Sequence, residues 1–235
     1  MPYHSAMKIG IMGSGVVAQT LGAKLVELGH DVVLGTRDAS KLDDKKNMAG
    51  TLREWLAAVA KVARGEAKGR VVTFVEAAAH GDLLINATHG QASVDALKLA
   101  RADKVGPKVL IDTANELDFS KGMPPGVLAS WSNCLAERIQ AAFPNLKVVK
   151  SLNTVGAPVM VAPQALAGGE HTIFVSGNDA AAKAAAAELL KSFGWKDVLD
   201  LGDIATARAP EMLMAMWLHM WRATGTGIVN VKVVR

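Results

Sequence analysis

Apolar residues in this chain fall into short unbroken runs, separated by glycine turns and by longer stretches with helical spacing. Such runs are typical of strands that are buried on both faces, so they predict a mostly parallel sheet. The predicted strands cover residues 8–12, 31–35, 71–75, 82–87, 108–113, 147–152, 171–176, 197–201 and 229–234.

Helical patterns lie between these strands and carry their own start and stop signals. The first predicted helix ends near Leu28, because Gly29 and His30 form a typical C-terminal cap. Thr51 and Glu54 match a capping box ahead of apolar positions. The remaining predicted helices run from Ser132 to about Phe143, from Asn178 or Asp179 to Gly194, and from around Pro210 to about Thr224.

The order of these elements predicts an α/β fold with a Rossmann-type, doubly wound and mostly parallel sheet and a small C-terminal α/β portion. We expect one domain over residues 7–150 and a small α/β domain over 151–235, with a tight boundary near residues 151–157. Glycines and prolines interrupt the rhythm over residues 116–131, where we expect a long ordered loop.

The strongest chemical signal is a strand, a G-x-G-x-x-A turn and a helix near the start of the chain. This order is typical of a dinucleotide-binding unit, although an ordinary glycine turn is the alternative. Gly15 lets a pyrophosphate approach the backbone, and the helix N-terminus offers N–H groups and partial positive charge. The phosphate-binding candidates are Gly13, Ser14, Gly15, Val16 and Val17.

The residues after the second strand predict the choice of nucleotide. NAD enzymes usually place a carboxylate there, bonded to the ribose 2′-hydroxyl. This chain instead has Thr36 and Arg37, with Lys41 four residues further on, and these groups favour the 2′-phosphate of NADP. Asp38 is the competing candidate for a ribose contact, although it also suits a local cap. A solvated basic turn is the remaining interpretation of Arg37 and Lys41.

Ligands of such folds bind at the carboxyl ends of the strands. Small and amide residues there suit a flat ring and a carboxamide, so Asn153 and Thr154 are candidates to face the nicotinamide, with local capping as the alternative. Thr88 and Asn115 are further cofactor-binding candidates. His89 is a candidate proton donor or phosphate contact, or else a polar surface residue.

The last predicted helix carries an apolar stripe rich in methionine and tryptophan. Core packing, a subunit interface and the wall of a flat-ring pocket all remain open for it. Cys134 is expected to pack in the core. The stripe consists of Met212, Leu213, Met216, Trp217, Met220 and Trp221.

Composition and charge exclude several function classes. Half of the residues are hydrophobic, which excludes a disordered chain. The formal charge of 26 − 22 = +4 without a basic run, and only 5% aromatic residues, disfavour nucleic acid as a partner. A single cysteine excludes an intramolecular disulfide and a cysteine zinc cluster, and we predict no metal site. Without a membrane-length apolar run or a signal-like stretch over 1–8, we expect a cytoplasmic protein with no membrane partner.

The chain resembles the deazaflavin (coenzyme F420)-dependent NADP oxidoreductases in its opening turn, in Gly35-Thr36-Arg37, in VVKSLNTVGA at 148–157 and in NVKVVR at 230–235. The resemblance covers nearly the whole chain and implies a Rossmann domain, a homodimer, and hydride transfer between NADP and a deazaflavin. It implies that Thr36, Arg37 and Lys41 bind the 2′-phosphate and that Asn153 and Thr154 line the nicotinamide. The chain departs from the family pattern in an insertion around 43–70 and in the 116–131 loop.

We therefore expect an NADP(H)-dependent oxidoreductase whose acceptor is a flat ring such as a deazaflavin or a flavin. Hydride exchange between two flat rings needs no dedicated acid or base, and no acid–base pair is evident in the sequence. The alternatives are a non-catalytic NADP-binding redox sensor and a reductase of small carbonyl compounds. A β-hydroxyacid dehydrogenase is disfavoured because the remaining C-terminal segment includes strands and is too short for the long helical domain of that class.

Overall fold

The computed structural model describes residues 6–43 and 47–235. The chain forms two compact units, one of residues up to Thr88 with Ala92–Leu110, the other of His89–Gln91 with Ile111–Arg235. The domain division into 7–150 and 151–235 stays a prediction. Within the predicted insertion at 43–70 and the N-terminal stretch 1–8, residues 44–46 and 1–5 lie outside the described residues.

Strands of the first unit lie in the order β4-β1-β2-β3, and each neighbouring pair runs parallel. Its elements in chain order are β1 (Lys8–Met12), α1 (Val16–Glu27), β2 (Asp31–Thr36), α2 (Leu52–Val62), β3 (Lys68–Thr73), α3 (Phe74–His80), β4 (Leu83–Asn86), α4 (Ser93–Leu99) and α5 (Ala102–Val105).

In the second unit the strand order is β5-β8-β9-β10, in which β9 and β10 are parallel and β8 and β9 antiparallel. The predicted Rossmann-type, mostly parallel α/β fold is thereby confirmed. The elements are β5 (Val109–Asp112), which begins in the first unit, β6 (Leu117–Asp118), β7 (Gly126–Val127), α6 (Leu135–Ala142), β8 (Lys147–Lys150), α7 (Ala157–Val161), β9 (Thr172–Ser176), α8 (Ala180–Ser192), β10 (Asp197–Gly202) and α9 (Arg208–Thr224).

The core of the first unit depends on close contacts between helices and strands. Gly10 of β1 lets α3 approach, because a Cβ there would overlap the carbonyl oxygen of Ala77. Trp55 of α2 is buried, and its indole Nε1 donates to the carbonyl oxygen of Gln19 in α1 at 2.9 Å. These contacts hold α1, α2 and α3 against the sheet.

The predicted strand at 71–75 is wrong in its second half. The strand ends at Thr73, whose hydroxyl accepts from the backbone N–H of Glu76, while the Glu76 carboxylate accepts from the N–H of Thr73. This capping box starts α3 at Phe74, and it was missed because the two apolar residues after Thr73 extend the strand pattern. Most other strand ends differ from prediction by one or two residues, which is the usual uncertainty of such boundaries.

The predicted 116–131 loop contains one small antiparallel ladder, formed by β6 and β7. The predicted strand at 229–234 is wrong, since this tail has no strand assignment. It contacts β9 through single hydrogen bonds: Thr172 N–H donates to the carbonyl oxygen of Val231 at 3.0 Å, and Val233 N–H donates to the Thr172 hydroxyl at 2.9 Å.

The apolar stripe on α9 is only partly buried. The buried face of α9 contains Met214 and Leu218, whereas Met216 and Trp221 of the stripe are 57% and 37% exposed. Trp217 is half-buried, and its Nε1 donates to the carbonyl oxygen of Val229 at 3.3 Å. Core packing therefore accounts for part of the stripe. Within the described ranges, no helix has both the length and the apolar content needed to cross a membrane.

The helix predicted to start at Ser132 starts later, with Cys134 at its N-cap and no side-chain cap from that residue. The cap comes from α9 instead: the Glu211 carboxylate accepts from Leu135 N–H at 2.8 Å and from Ala136 N–H at 3.0 Å. Because the capping carboxylate is 76 residues away, the sequence around α6 carries no signal of it. The prediction therefore chose Ser132, a nearby residue of a type that often caps helices.

Cys134 is fully buried, as predicted, and burial, followed by the nearby Glu211 carboxylate, raises the pKa of its thiol to about 12. At pH 8 the thiolate is then about a thousandfold scarcer than in an exposed cysteine, and the thiolate is the reactive form. We expect no labelling of the native protein by a thiol reagent at pH 8, and stoichiometric labelling in guanidinium. Equal labelling rates in both states would contradict this placement.

Candidate functional site

The glycine turn after β1 contains two glycines with different roles. Gly13 has a φ of +131°, donates its N–H to the carbonyl oxygen of Gly35 at 3.0 Å, and has no room for a Cβ beside the carbonyl of Ala87. Gly15 has an ordinary extended conformation at the N-cap of α1, and a Cβ there would meet nothing within 4 Å. Folding therefore explains Gly13. Gly15 faces open space at a helix N-terminus that no side chain in 6–43 or 47–235 caps.

Gln19 supports this turn and was missed by the sequence analysis. It is 2% exposed, and its Nε2 donates to the carbonyl oxygen of Ser14 at 3.1 Å. Through Trp55, which donates to the Gln19 carbonyl, the turn is connected to α2. A polar residue four positions after Gly15 on an otherwise apolar helix face was the available signal.

At the end of β2, Thr36 is half-buried and Arg37 is exposed. Arg37 makes no ion pair with any residue in the described ranges. Lys41 lies 3.9 Å from the Asp38 carboxylate, with 60% of its own side chain exposed. The basic groups at this strand end are thus accessible to a solute anion.

Asp38 is engaged in its own turn. Its Oδ1 accepts from the Ser40 hydroxyl at 2.6 Å and from the Ser40 N–H at 3.0 Å. These two hydrogen bonds, with the Lys41 charge, hold the pKa of Asp38 below its usual value. The local-cap interpretation of Asp38 accounts for both bonds without a ribose contact.

The residues at and after the end of β4 form a polar network. The Thr88 hydroxyl donates to Asn86 Oδ1 at 2.7 Å and lies 2.8 Å from the Ser93 hydroxyl, which accepts from Asn86 Nδ2 at 3.0 Å. The parallel register places Met12 beside both Gly35 and Asn86, so β1, β2 and β4 end side by side. The first unit thereby assembles the glycine turn, the basic group at 36–41 and Thr88 at one edge.

In the second unit, Asn115 and Asn153 bond to each other. Asn115 Nδ2 donates to the carbonyl oxygen of Asn153 at 2.7 Å, and Asn153 Nδ2 donates to Asn115 Oδ1 at 3.0 Å. Asn153 Nδ2 also donates to the carbonyl oxygen of Pro210 at 2.9 Å. Exposed His89 belongs to this unit, with its ring centroid 6.1 Å from that of Phe119.

Thr154 carries a polar atom without a protein partner. The residue is 2% exposed, and its Oγ1 has no hydrogen bond to any residue in 6–43 or 47–235. Buried hydroxyls are normally paired, so an orphaned one indicates a ligand or an ordered water. Thr154 lies just after β8, and the sequence predicts a nicotinamide contact at the end of that strand.

A buried ion cluster beneath these residues was not predicted. The Lys150 ammonium is fully buried and contacts Asp112 Oδ2 at 2.9 Å, Glu211 Oε1 at 3.0 Å and the carbonyl oxygen of Ala114. Burial alone would lower the pKa of Lys150, but the Asp112 and Glu211 carboxylates outweigh it and hold the pKa above its usual value. A lysine inside an apolar strand run was the available signal.

Comparisons with known proteins agree with this fold. The family described as coenzyme F420-dependent NADP oxidoreductase matches residues 8–116. A protein of Arthrobacter sp. FB24, provisionally described as an F420-dependent NADP reductase, is 45% identical with a TM-score of 0.90, over 98% of this chain and 100% of that one. A hypothetical protein of Sinorhizobium meliloti, 23% identical with a TM-score of 0.62 over 87% of this chain and 89% of its own, shares the fold.

Among curated proteins, the metalloreductase STEAP3 of Rattus norvegicus is 28% identical over 217 residues, which are 92% of this chain and 38% of that protein. This chain thus spans less than half the length of the curated relatives it matches. The resemblance predicted from the glycine turn and the 148–157 stretch is confirmed: the chain belongs to the coenzyme F420-dependent NADP oxidoreductase family.

Proposed function

We propose that this protein is an NADP(H)-dependent oxidoreductase that transfers a hydride between the nicotinamide and a flat-ring acceptor such as a deazaflavin or a flavin. The observation that carries the proposal is the open space at Gly15, where the fold itself gives no reason for a glycine. A pyrophosphate beside uncapped helix N–H groups supplies that reason. The proposed phosphate-binding residues are Gly13, Ser14, Gly15, Val16 and Val17.

The basic group at the end of β2 supports NADP over NAD. Arg37 is exposed and makes no ion pair within the described ranges, and its planar guanidinium matches a phosphate with two N–H groups. Thr36 adds a hydroxyl and Lys41 adds charge, while Asp38 is engaged with Ser40. We therefore assign Thr36, Arg37 and Lys41 to the 2′-phosphate.

NADPH, when bound, supplies the hydride from its nicotinamide. The protein has to orient that ring and exclude water, which needs fixed polar groups rather than an acid and a base. The orphaned Thr154 hydroxyl and the bonded pair Asn115 and Asn153 are suited to this role. Thr88 and His89 remain candidates at the same cofactor, and Cys134 is excluded as a nucleophile by its burial and raised pKa.

The relatives indicate which electron acceptors to test first. Family membership favours a deazaflavin, the metalloreductase relative adds metal ions, and a flavin is a chemically close substitute for a deazaflavin. The exposed stripe face of α9 is compatible with the homodimer that the sequence resemblance implies. We retain the homodimer and the cytoplasmic location as predictions.

The Gly15→Val variant tests the phosphate cradle. Its backbone conformation and the open space accept a side chain, so we expect an unchanged melting temperature and loss of measurable NADPH binding by fluorescence titration. Gly13→Ala is the matched control, expected to lose stability because of its positive φ and the carbonyl of Ala87. Normal NADPH titration of folded Gly15→Val would place the phosphates elsewhere.

The Arg37→Ala variant tests nucleotide choice. A hydrogen bond to a charged group contributes about 1.5–3 kcal/mol when buried, and Arg37 is exposed, so we expect NADPH affinity to fall about tenfold and NADH affinity to stay unchanged. We expect the unmodified protein to prefer NADPH by about two orders of magnitude, less at high salt. Equal affinity of the unmodified protein for both nucleotides would overturn the assignment.

Two further variants separate the contributions of charge and of Asp38. Arg64→Ala removes the same charge from an exposed position before β3, at the opposite edge of the parallel strands, and should alter neither affinity. Asp38→Ala should leave NADH binding unchanged. If Asp38→Ala lowers the affinity for NADH and Arg37→Ala changes the affinity for neither nucleotide, then Asp38 binds the ribose instead.

An acceptor panel tests the reaction itself. NADPH oxidation is measured with a deazaflavin, a flavin, quinones, ferric chelates and small carbonyl compounds as acceptors. We expect oxidation with the deazaflavin or the flavin. His89→Ala should then lower turnover only modestly, because hydride transfer between two flat rings needs no dedicated proton donor. Loss of about 10²–10⁴-fold would indicate general acid catalysis and a carbonyl substrate. NADPH binding without turnover of any acceptor would favour the redox sensor.

A further inference from the structure

Lys150 forms the centre of a buried ion cluster that spans four elements of the second unit. Its ammonium has three acceptors: Asp112 at the end of β5, Ala114 just after it, and Glu211 in the first turn of α9. Glu211 in turn caps α6. Every donor of the ammonium therefore has an acceptor, and no water is needed.

The cluster contains two carboxylates and one ammonium. Glu211 contacts both the ammonium and the N–H groups at the start of α6, where the helix end carries positive potential. Buried ion pairs of this kind are often replaced by apolar residues without loss of stability, so stability alone is a weak reason for a buried lysine. Fixing the geometry of nearby groups is the stronger explanation.

A second set of hydrogen bonds joins the same three backbone segments. Asn153 lies three residues after Lys150, and its side chain donates to Asn115 Oδ1 and to the carbonyl oxygen of Pro210. Asn115 lies three residues after Asp112, and Pro210 is adjacent to Glu211. Each of the three residues in this set is thus within three positions of a charged residue of the ion cluster.

We propose that Lys150 is a positioning residue, which fixes Asn153 and the orphaned Thr154 hydroxyl toward the nicotinamide by holding β5, β8 and α9 in one register. The inference rests on the proposed function, because it presupposes that Asn153 and Thr154 contact this ring. It assigns to the ion cluster a role in ring orientation and none in binding the adenosine half.

The test compares two ligands that differ only in the nicotinamide ring, NADPH and 2′-phospho-ADP-ribose. If Asn153 and Thr154 contact the ring, NADPH binds the unmodified protein at least about tenfold more tightly than 2′-phospho-ADP-ribose, equivalent to about 1.4 kcal/mol. In Lys150→Met we expect unchanged affinity for 2′-phospho-ADP-ribose, and NADPH affinity within about twofold of it. A merely destabilised protein would lose both affinities together.

Lys150→Met removes the cation that both buried carboxylates contact, and such a variant can fail to fold. The neutral triple variant Asp112→Asn, Lys150→Met, Glu211→Gln removes this repulsion and keeps the side-chain volumes close, so we expect the native melting temperature and the same collapsed affinity ratio. Lys183→Met is the matched control, since Lys183 pairs with Asp200 at 2.8 Å in the same unit, away from Asn153. It should keep the native ratio.

The outcomes separate the two proposals. If the folded triple variant keeps the native affinity ratio, Lys150 is purely structural and this inference is wrong, while NADP binding stands. Equal affinities for both ligands in the unmodified protein also overturn the inference. If the unmodified protein binds neither ligand, the proposed function itself fails, and the positioning role fails with it.

Discussion

A buried ammonium must be surrounded by acceptors, and the second unit of this protein is organised around that requirement. Lys150 satisfies it with Asp112, Glu211 and the carbonyl of Ala114, which come from different segments of the chain. Because Glu211 also caps α6, a single cluster fixes β5, β8, α6 and α9. The hydrogen-bonded amides of Asn115 and Asn153 lie on the same backbone segments as Asp112 and Lys150.

The first unit is organised by close backbone approach rather than by charge. Gly13 donates to Gly35 and leaves no space for a side chain beside Ala87, so the ends of β1, β2 and β4 meet tightly. Gly15, two residues later, has free space in front of it. The difference between a glycine that the fold requires and one that it does not is what points to a phosphate.

The two units offer different kinds of polar groups. Exposed cations at the end of β2 suit a charged phosphate, which remains partly solvated. The half-buried Asn115 amide, the buried Asn153 amide and the buried Thr154 hydroxyl suit a flat ring with a carboxamide, which needs fixed hydrogen bonds and the exclusion of water.

Local signals in the sequence determined the strand and helix order, the parallel sheet, the glycine turn and the basic group at Thr36 and Arg37, since each depends on neighbours only a few residues apart. The start of α3 was missed where a capping box at Thr73 followed an apolar run. Tertiary structure alone decided the cap of α6 and the partners of Lys150, because these contacts join residues 76 and 38 positions apart. It also decided which face of α9 is buried, because an apolar pattern along a helix does not indicate which other residues pack against it.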